Sequence, residues 1–209
     1  IPSDFLDTQL YKFMKINAEY TQQFKRKNSS FVFRAFAGIG YAFNSTVNKS
    51  KRNALPFFKQ YFGGGPNSMR AWRLRRLGPG SAIKDYNEYP YRFGDIQLEM
   101  NMEYRFKITT IAGTRIESVL FTDIGNVWFM KKEAGDPEEV FKLSRLGKDI
   151  AIGMGTGLRL DFTYFIIRLD YAYKVKDPSP DLQNQTSQNK WFYNWKPLNG
   201  QLQLGINYP

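Results

Sequence analysis

Cysteine and histidine are both absent from the 209 residues of this chain. The lack of cysteine excludes disulfides, thiol nucleophiles and cysteine-ligated metal sites. The lack of histidine removes the most common general base and metal ligand, and with it most hydrolytic chemistry. The chain also has no uninterrupted run of about 18 apolar residues, so no transmembrane helix is predicted. We therefore expect no catalytic residue, metal or cofactor, and we predict that the protein is not an enzyme.

Acidic residues are outnumbered, with 19 Asp and Glu against 30 Lys and Arg and a net charge of +11. Such a balance fits nucleic acid, an anionic membrane surface or acidic partners. No known nucleic-acid-binding module is recognisable, so nucleic acid is not expected as a partner. Part of the excess is local, and a basic loop fits the anionic headgroups of lipids or lipopolysaccharide. Within that loop, a solvated face is predicted for Arg73, Arg75 and Arg76.

The dominant pattern in the chain is a period-two alternation of apolar and polar residues, which indicates β-strands. In residues 94–106, one face carries only apolar side chains and the other face is polar. At about 3.3 Å per residue, this segment is long enough to cross a bilayer while tilted. Six further segments repeat the pattern with less contrast: 10–20, 31–43, 116–128, 150–162, 165–173 and 202–208.

The connections between these segments alternate in length. Short turns are predicted at 21–30, 107–114 and 163–164, and long loops at 44–93, 129–148 and 174–200. Short turns at one end and long loops at the other are typical of outer-membrane barrels. The alternative is a soluble antiparallel barrel with its apolar face packed inward, although strands of this length exceed its usual range. We predict an all-β fold, an antiparallel transmembrane β-barrel.

The number of predicted strands is seven, whereas single-chain bacterial barrels have an even count and must close. The first residues also contain no basic and apolar signal region. Both observations favour the C-terminal part of a larger barrel, with the missing strands upstream of residues 1–209.

The longest loop contains the sequence FGGGPNSMRAWRLRRLGPG at residues 62–80, which is rich in glycine and then abruptly basic. Its three consecutive glycines permit positive φ and leave no side chains in the way. A long loop of such specific sequence is more often functional than a passive connector. Glycine-rich loops also cradle phosphates, but the GxxxxGK(S/T) spacing and a following amphipathic helix are missing, so a nucleotide site is not favoured.

Three motifs in order, FGGGPNSMRAW, GDIQLEMNMEYRF and VLFTDIGNVW, resemble the C-terminal barrel half of the BamA/TamA superfamily of outer-membrane assembly factors. The resemblance covers about residues 9–208. RAW followed by RRLGPGS is most similar to TamL of Bacteroidota, whereas BamA tends to have RGF or RGY, so Ala71 and Trp72 depart from that branch. The resemblance implies the last seven strands of a sixteen-stranded barrel. It also implies that residues 44–93 form a long extracellular loop that folds back into the lumen.

The same resemblance implies a docking site for this loop. A guanidinium in a confined space needs carboxylate partners, and Glu103 and Asp123 lie on the predicted lumen-facing phase of consecutive strands. We expect Arg70 to dock on both, with Glu99 as a weaker candidate. An ordinary ion pair without a special role is the alternative. The implied motif residues are Gly63, Gly64, Gly65, Ser68, Arg70, Ala71 and Trp72 in the loop, and Gly94, Asp95, Gly125 and Asn126 in the strands.

The resemblance further implies a lateral seam at the last strand, because the first and last strands of this superfamily pair weakly and the barrel can open there. An unpaired strand edge can template an incoming strand, and glycine weakens a strand interior. The implied seam residues are Leu202, Leu204, Gly205, Ile206 and Tyr208.

The function implied by the resemblance is that of an integral outer-membrane protein of a Gram-negative bacterium that inserts or translocates other proteins. Its implied partners are the lipid bilayer and lipopolysaccharide, unfolded client outer-membrane proteins, and a TamB-like or accessory assembly subunit, with POTRA repeats upstream. Three alternatives stay open: a two-partner secretion transporter for one exoprotein, a passive porin or receptor, and an enzyme that carries this barrel as an anchor.

Overall fold

A computed structural model describes residues 13–43, 55–82, 92–131, 136–179, 191–192, 195–196 and 198–207. Seven strands form one sheet, which confirms the predicted all-β fold. They are β1 (Phe13–Lys25), β2 (Ser29–Ala42), β3 (Ile96–Ile111), β4 (Thr114–Trp128), β5 (Ala151–Asp161), β6 (Ile166–Lys176) and β7 (Gln201–Asn207). Short helical segments lie at Phe57–Lys59, Leu143–Arg145 and Leu146–Asp149. None of the helices in these ranges is long and apolar enough to cross a membrane.

Strands that are consecutive in the chain are neighbours in the sheet, and every pair is antiparallel. Two predicted turns are too long, because β1 and β2 are joined by residues 26–28 and β3 and β4 by residues 112–113. Ala112 and Gly113 have φ of 48° and 80°, the positive values of a two-residue hairpin turn whose twist matches that of the strands. Residues 10–12 of the first predicted strand lie outside the described ranges.

The two faces of the sheet differ in chemistry as the alternation predicts, but their burial is inverted relative to a soluble sheet. The apolar face carries Leu120, Met154 and Leu204, which are 55, 46 and 62% exposed. The polar face carries Glu103 and Asp123, which are buried. Paired residues share a face, so each face is continuous across the strands. A soluble sheet covers its apolar face and solvates its polar one, and this sheet does the opposite.

The cover over the polar face is the loop segment 55–82. Two apolar clusters lie between this segment and the sheet, one of them formed by Leu55, Tyr61 and Val127. The second contains Met69, Ala71, Trp72, Leu77, Val119, Phe121, Ala151 and Ala172. Glycines in β2 make room for the first cluster, since a Cβ on Gly38 would lie 2.4 Å from the ring of Tyr61. The core of the described structure is therefore the interface between loop and strands.

Candidate functional site

Residues 63–77 form a compact hairpin within this loop. Gly63 pairs with Leu77 in an antiparallel bridge, and the Gly65 amide donates to the Trp72 carbonyl at 2.8 Å. Gly64 and Gly65 have φ of 96° and 92°, values that residues with a Cβ rarely adopt. The hairpin presents the residues at its centre to the polar face of the sheet.

Arg70 lies at the centre of the hairpin and is only 4% exposed. Its Nε and Nη2 donate to the two carboxylate oxygens of Asp123 at 2.9 and 2.8 Å, which is a bidentate pair. Its Nη1 donates to Glu103 Oε2 at 2.6 Å, and its backbone amide donates to Asp123 at 3.0 Å. The structure thus places Arg70 against both carboxylates that the resemblance implied.

An aromatic ring holds the guanidinium from a further side. The centroid of the Phe121 ring lies 3.5 Å from Cζ of Arg70, and cation–π attraction is strongest where water is excluded. Burial by itself lowers the pKa of Arg70, but the hydrogen bond to Asp123 and the charges of Asp123, Glu103 and Asp170 raise it above the ordinary value. Arg70 therefore keeps its charge in the buried site.

Two buried residues that the sequence analysis did not select extend the charge network. Arg159 on β5 donates to Glu103 at 3.0 Å and to Asp170 on β6 at 2.6 Å. Asp170 Oδ2 also lies 3.8 Å from Nη1 of Arg70, and Arg105 donates to Glu103 at 2.7 Å. Arg159 and Asp170 lie on the same face of the sheet as Glu103. Their position in the alternating pattern is the sequence feature that could have predicted this. The network joins the loop to β3, β4, β5 and β6.

Glu99 has a different set of partners from the one proposed for it. In the described part of the chain it accepts hydrogen bonds from the Ser68 hydroxyl, from Gln97 at 2.6 Å and from Arg34 at 3.3 Å. The assignment of Glu99 as a second-choice partner of Arg70 is therefore wrong. Its position on β3 brings it beside Ser68 instead, so it ties the hairpin to the wall at another point.

The two residues that depart from the BamA pattern are both buried. A Cβ on Gly153 would lie 2.8 Å from Cβ of Ala71 and 3.3 Å from Cζ3 of Trp72. The missing side chain at Gly153 therefore makes room for the methyl group of Ala71 and for the adjacent indole. Lys174 covers that indole, with its Nζ 5.4 Å from the ring centroid.

We expect Gly153→Ala to destabilise the full-length protein by about 1–3 kcal/mol, the usual cost of overpacking. Ala71→Gly in the same chain should recover part of this loss, because it removes the atom that the new methyl group meets. Urea unfolding in detergent micelles measures both effects. Gly147→Ala is the matched control, since a Cβ there meets no atom within 4 Å. Equal losses with and without Ala71→Gly would contradict the close approach.

Gly94 and Asp95 hold the start of the loop segment. Gly94 exchanges two backbone hydrogen bonds with Tyr61, at 2.8 and 2.9 Å, and a Cβ on Gly94 would collide with the backbone of Trp128. The carboxylate of Asp95 accepts the Leu55 amide at 2.8 Å. These two residues therefore fix the loop at the start of β3, away from Arg70.

Gly125 and Asn126 act at the end of β4. A Cβ on Gly125 would lie 2.4 Å from the carbonyl oxygen of Leu98 on the neighbouring strand, so only glycine fits there. The Asn126 side chain donates to the carbonyl oxygens of Gly80 at 2.9 Å and Asp149 at 2.5 Å. Asn126 thereby ties the end of the loop segment to the connection between β4 and β5.

A family model described as the Omp85 superfamily domain matches residues 5–206 of this chain. The chain belongs to the Omp85 superfamily. Among solved structures, it is similar to BamA from Haemophilus ducreyi lacking POTRA domains 1-3, with a TM-score of 0.60 and 14% sequence identity. The match covers 93% of this chain and 34% of that BamA chain. No curated protein matches this chain.

Membership of the superfamily confirms the coarser part of the resemblance. The likeness to BamA shows that this Omp85 domain shares the fold of that protein. The chain spans about a third of the BamA chain it matches, since the covered share is 34%. The finer assignment to TamL of Bacteroidota and the count of sixteen strands stay predictions.

The basic stretch of the Omp85 domain is less solvated than its composition predicts. Arg73 is exposed, whereas Arg75 and Arg76 are half-buried. The guanidinium of Arg75 lies 5.1 Å from the ring centroid of Phe62 and 5.6 Å from that of Phe93. A solvated face is therefore correct for Arg73 and wrong for the other two. The aromatic residues that flank the hairpin provide the cover.

The residues assigned to the seam lie on both faces of β7. Leu202, Leu204 and Ile206 are on the apolar face and are 63, 62 and 69% exposed. Gly205 is on the polar face, where a Cβ would lie 3.1 Å from Nε and Nη2 of Arg168. Tyr208 lies outside the described residues.

Proposed function

We propose that this Omp85 domain is the C-terminal part of an outer-membrane barrel that inserts or translocates other proteins. Residues 1–209 supply the last seven of sixteen strands, and residues 44–93 are an extracellular loop folded into the lumen. The remaining strands and the POTRA repeats lie upstream. The protein is integral to the outer membrane of a Gram-negative bacterium.

The observation that carries this proposal is the inverted burial of the sheet. The polar face with its buried carboxylates is covered by protein, while the side chains of the apolar face, such as Leu120 and Leu204, are exposed. A lipid bilayer covers such an apolar face, provided that every backbone group is paired within a closed barrel. The polar face is then the lumen wall.

The docked loop argues against a passive porin. Residues 55–82 occupy the polar face, whereas a porin keeps its lumen open to water. Burying Arg70 with Glu103 and Asp123 costs desolvation, and a network of this kind is weak evidence for stability alone. The network instead holds the loop in one defined position. A protein that changes conformation as it acts on its clients needs such a contact, whereas a simple pore does not.

The proposed mechanism uses strand exchange at the seam. In the described residues β7 pairs with β6 through seven residue pairs, whereas β3 and β4 are joined by fifteen, so β7 has fewer backbone hydrogen bonds to lose when it separates. Its freed edge would pair with an incoming client strand by β-augmentation. A short apolar band beside the seam would thin the bilayer locally and lower the barrier to insertion. No cofactor, nucleotide or catalytic residue takes part.

The proposed partners follow from this mechanism. They are the bilayer and lipopolysaccharide around the apolar face, unfolded client outer-membrane proteins at the seam, and a TamB-like or accessory assembly subunit. A role of the TamL type in Bacteroidota is the finer form of the proposal. The main rival is a two-partner secretion transporter that exports one exoprotein.

Depletion of the full-length protein in its own host tests the proposal. We expect a broad fall in barrel proteins or surface lipoproteins in the quantified outer-membrane proteome, and recovery when the wild-type gene is restored. Loss of a single secreted protein would favour the dedicated transporter. An unchanged proteome with altered solute uptake would favour a porin and overturn the proposal.

A further inference from the structure

β7 contacts the hairpin of residues 63–77. Arg70 anchors this same hairpin to β3 and β4 through Glu103 and Asp123. The side-chain amide of Gln203 on β7 donates to the Arg70 carbonyl at 3.2 Å and to the Trp72 carbonyl at 3.0 Å. Gln203 pairs in register with Asp170 on β6, so it belongs to the polar face. One half-buried side chain thus bridges two backbone carbonyls that flank Ala71.

The carbonyls of Arg70 and Trp72 are held in place by the docking of the hairpin. The Arg70 backbone is held by Asp123, which accepts from its amide at 3.0 Å. The Trp72 carbonyl already accepts the Gly65 amide at 2.8 Å. If the hairpin leaves the wall, both acceptors of Gln203 move with it. The side chain of Arg70 faces β3 and β4 while its carbonyl faces β7, so this residue links two distant parts of the sheet.

A second contact supports the same link. Arg168 on β6 donates to the carbonyl of Pro66 and to Asn67 Oδ1 at 3.0 Å. Its guanidinium passes beside Gly205 of β7, where a Cβ would lie 3.1 Å from two of its nitrogens. The glycine therefore leaves the space through which Arg168 reaches the loop. Positions 203 and 205 of β7 both fit the docked hairpin, the first by donating hydrogen bonds and the second by leaving space.

In the described residues, β7 is paired along one side. β7 is an edge of the described sheet and pairs only with β6, through seven residue pairs. Its apolar side chains are exposed rather than packed. Two hydrogen bonds from Gln203 therefore add to the backbone pairing with β6 in the described structure.

We infer that Gln203 is a positioning residue that couples loop docking to the pairing of β7. While Arg70 occupies its carboxylates, the hairpin carbonyls hold Gln203 and keep β7 on β6. When the hairpin undocks, β7 loses these bonds and separates more often. The inference deepens the proposed function, because β7 is the proposed seam, but the coupling itself is a property of the folded protein.

Hydrogen exchange followed by mass spectrometry on the purified full-length protein in nanodiscs tests the coupling. Gln203→Leu removes the donor without adding charge. Gln201→Leu is the matched control on the same strand and face. The Gln201 side chain accepts an exposed hydrogen bond of 3.3 Å from Arg73 and donates within its own strand to the Leu202 carbonyl at 2.8 Å. Three segments are compared: 198–207, 62–77 and, as an internal reference, 29–37 of β2.

We expect Gln203→Leu to speed exchange in both 198–207 and 62–77 by about tenfold, which corresponds to about 1.4 kcal/mol. The control and the reference segment should stay within about twofold of wild type. Coupling is reciprocal, so Arg70→Gln should also speed exchange in 198–207. That effect should be absent in the Gln203→Leu background, where the link is already broken.

Three results would overturn the inference: equal effects of the two glutamine variants, faster exchange in all three segments of Gln203→Leu, or an Arg70→Gln effect on 198–207 that exceeds its effect on 29–37 and persists without Gln203. The second result would indicate general destabilisation. None of these measurements requires client insertion, so failure of the coupling and failure of the proposed function are read out separately.

Discussion

Arg70→Gln is expected to destabilise the full-length protein by about 3–5 kcal/mol, the range for breaking a buried ion pair by removing one partner. The variant removes the guanidinium that pairs with both oxygens of buried Asp123. Glu103 loses the same partner but keeps its hydrogen bonds from Arg159 and Arg105. Asp170, 3.8 Å from Arg70, also loses a positive neighbour, although it keeps its contact with Arg159. The predicted loss exceeds that of any single neutral hydrogen bond in the loop.

The measurement is the shift in the urea midpoint of the full-length protein in micelles. Arg73→Gln is the control, because Arg73 lies in the same loop but is exposed, and it should change the free energy of unfolding by less than about 0.5 kcal/mol. Arg70→Lys should recover only part of the loss, since an ammonium cannot make the bidentate contact with Asp123. Equal effects of the Arg70 and Arg73 variants would mean that the network does not hold the loop.

Gly64→Ala is expected to cost about 3 kcal/mol, because it combines backbone strain with a collision. Gly64 has φ of 96°, which residues with a Cβ adopt at a cost. An added Cβ would also lie 2.2 Å from the carbonyl oxygen of Arg73. This atom belongs to the backbone of the hairpin, so it cannot move away without opening the turn that presents Arg70.

Gly113→Ala separates the two contributions. Gly113 also has positive φ, at 80°, but a Cβ there meets no atom within 4 Å, so only strain remains. We expect Gly64→Ala to lower the free energy of unfolding at least about twice as much as Gly113→Ala. It should also make the loop sensitive to protease in folded protein. Matching losses without added protease cleavage would show that the hairpin tolerates the methyl group.

The strands are predictable because their signal is local. Alternation along residues 94–106 already separates a polar face from an apolar one, and the structure places β3 at residues 96–111, which overlaps this segment and extends five residues beyond it. The errors lie at the ends, as in the turns at 26–28 and 112–113. Near a turn both faces become polar, so periodicity no longer distinguishes strand from loop.

The partners of the loop are only partly predictable. Arg70, Glu103 and Asp123 were named because a confined guanidinium requires carboxylates and the motifs resemble a known superfamily. Glu99 shares the strand phase of Glu103 but lies beside Ser68. The alternating pattern assigns a residue to one face of the sheet. It does not determine where along that face the loop makes contact.

Period-two alternation and the spacing of turns are enough to establish an antiparallel sheet with one polar and one apolar face, because each depends on residues close together in the chain. Folding of the whole chain decides that Arg159 and Asp170 join the network, that Gly153 receives Ala71, and that Gln203 reaches the hairpin. Those contacts join residues up to 133 positions apart. Their distances depend on the register of several strands and on the path of the loop between them, and packing of the whole chain sets both.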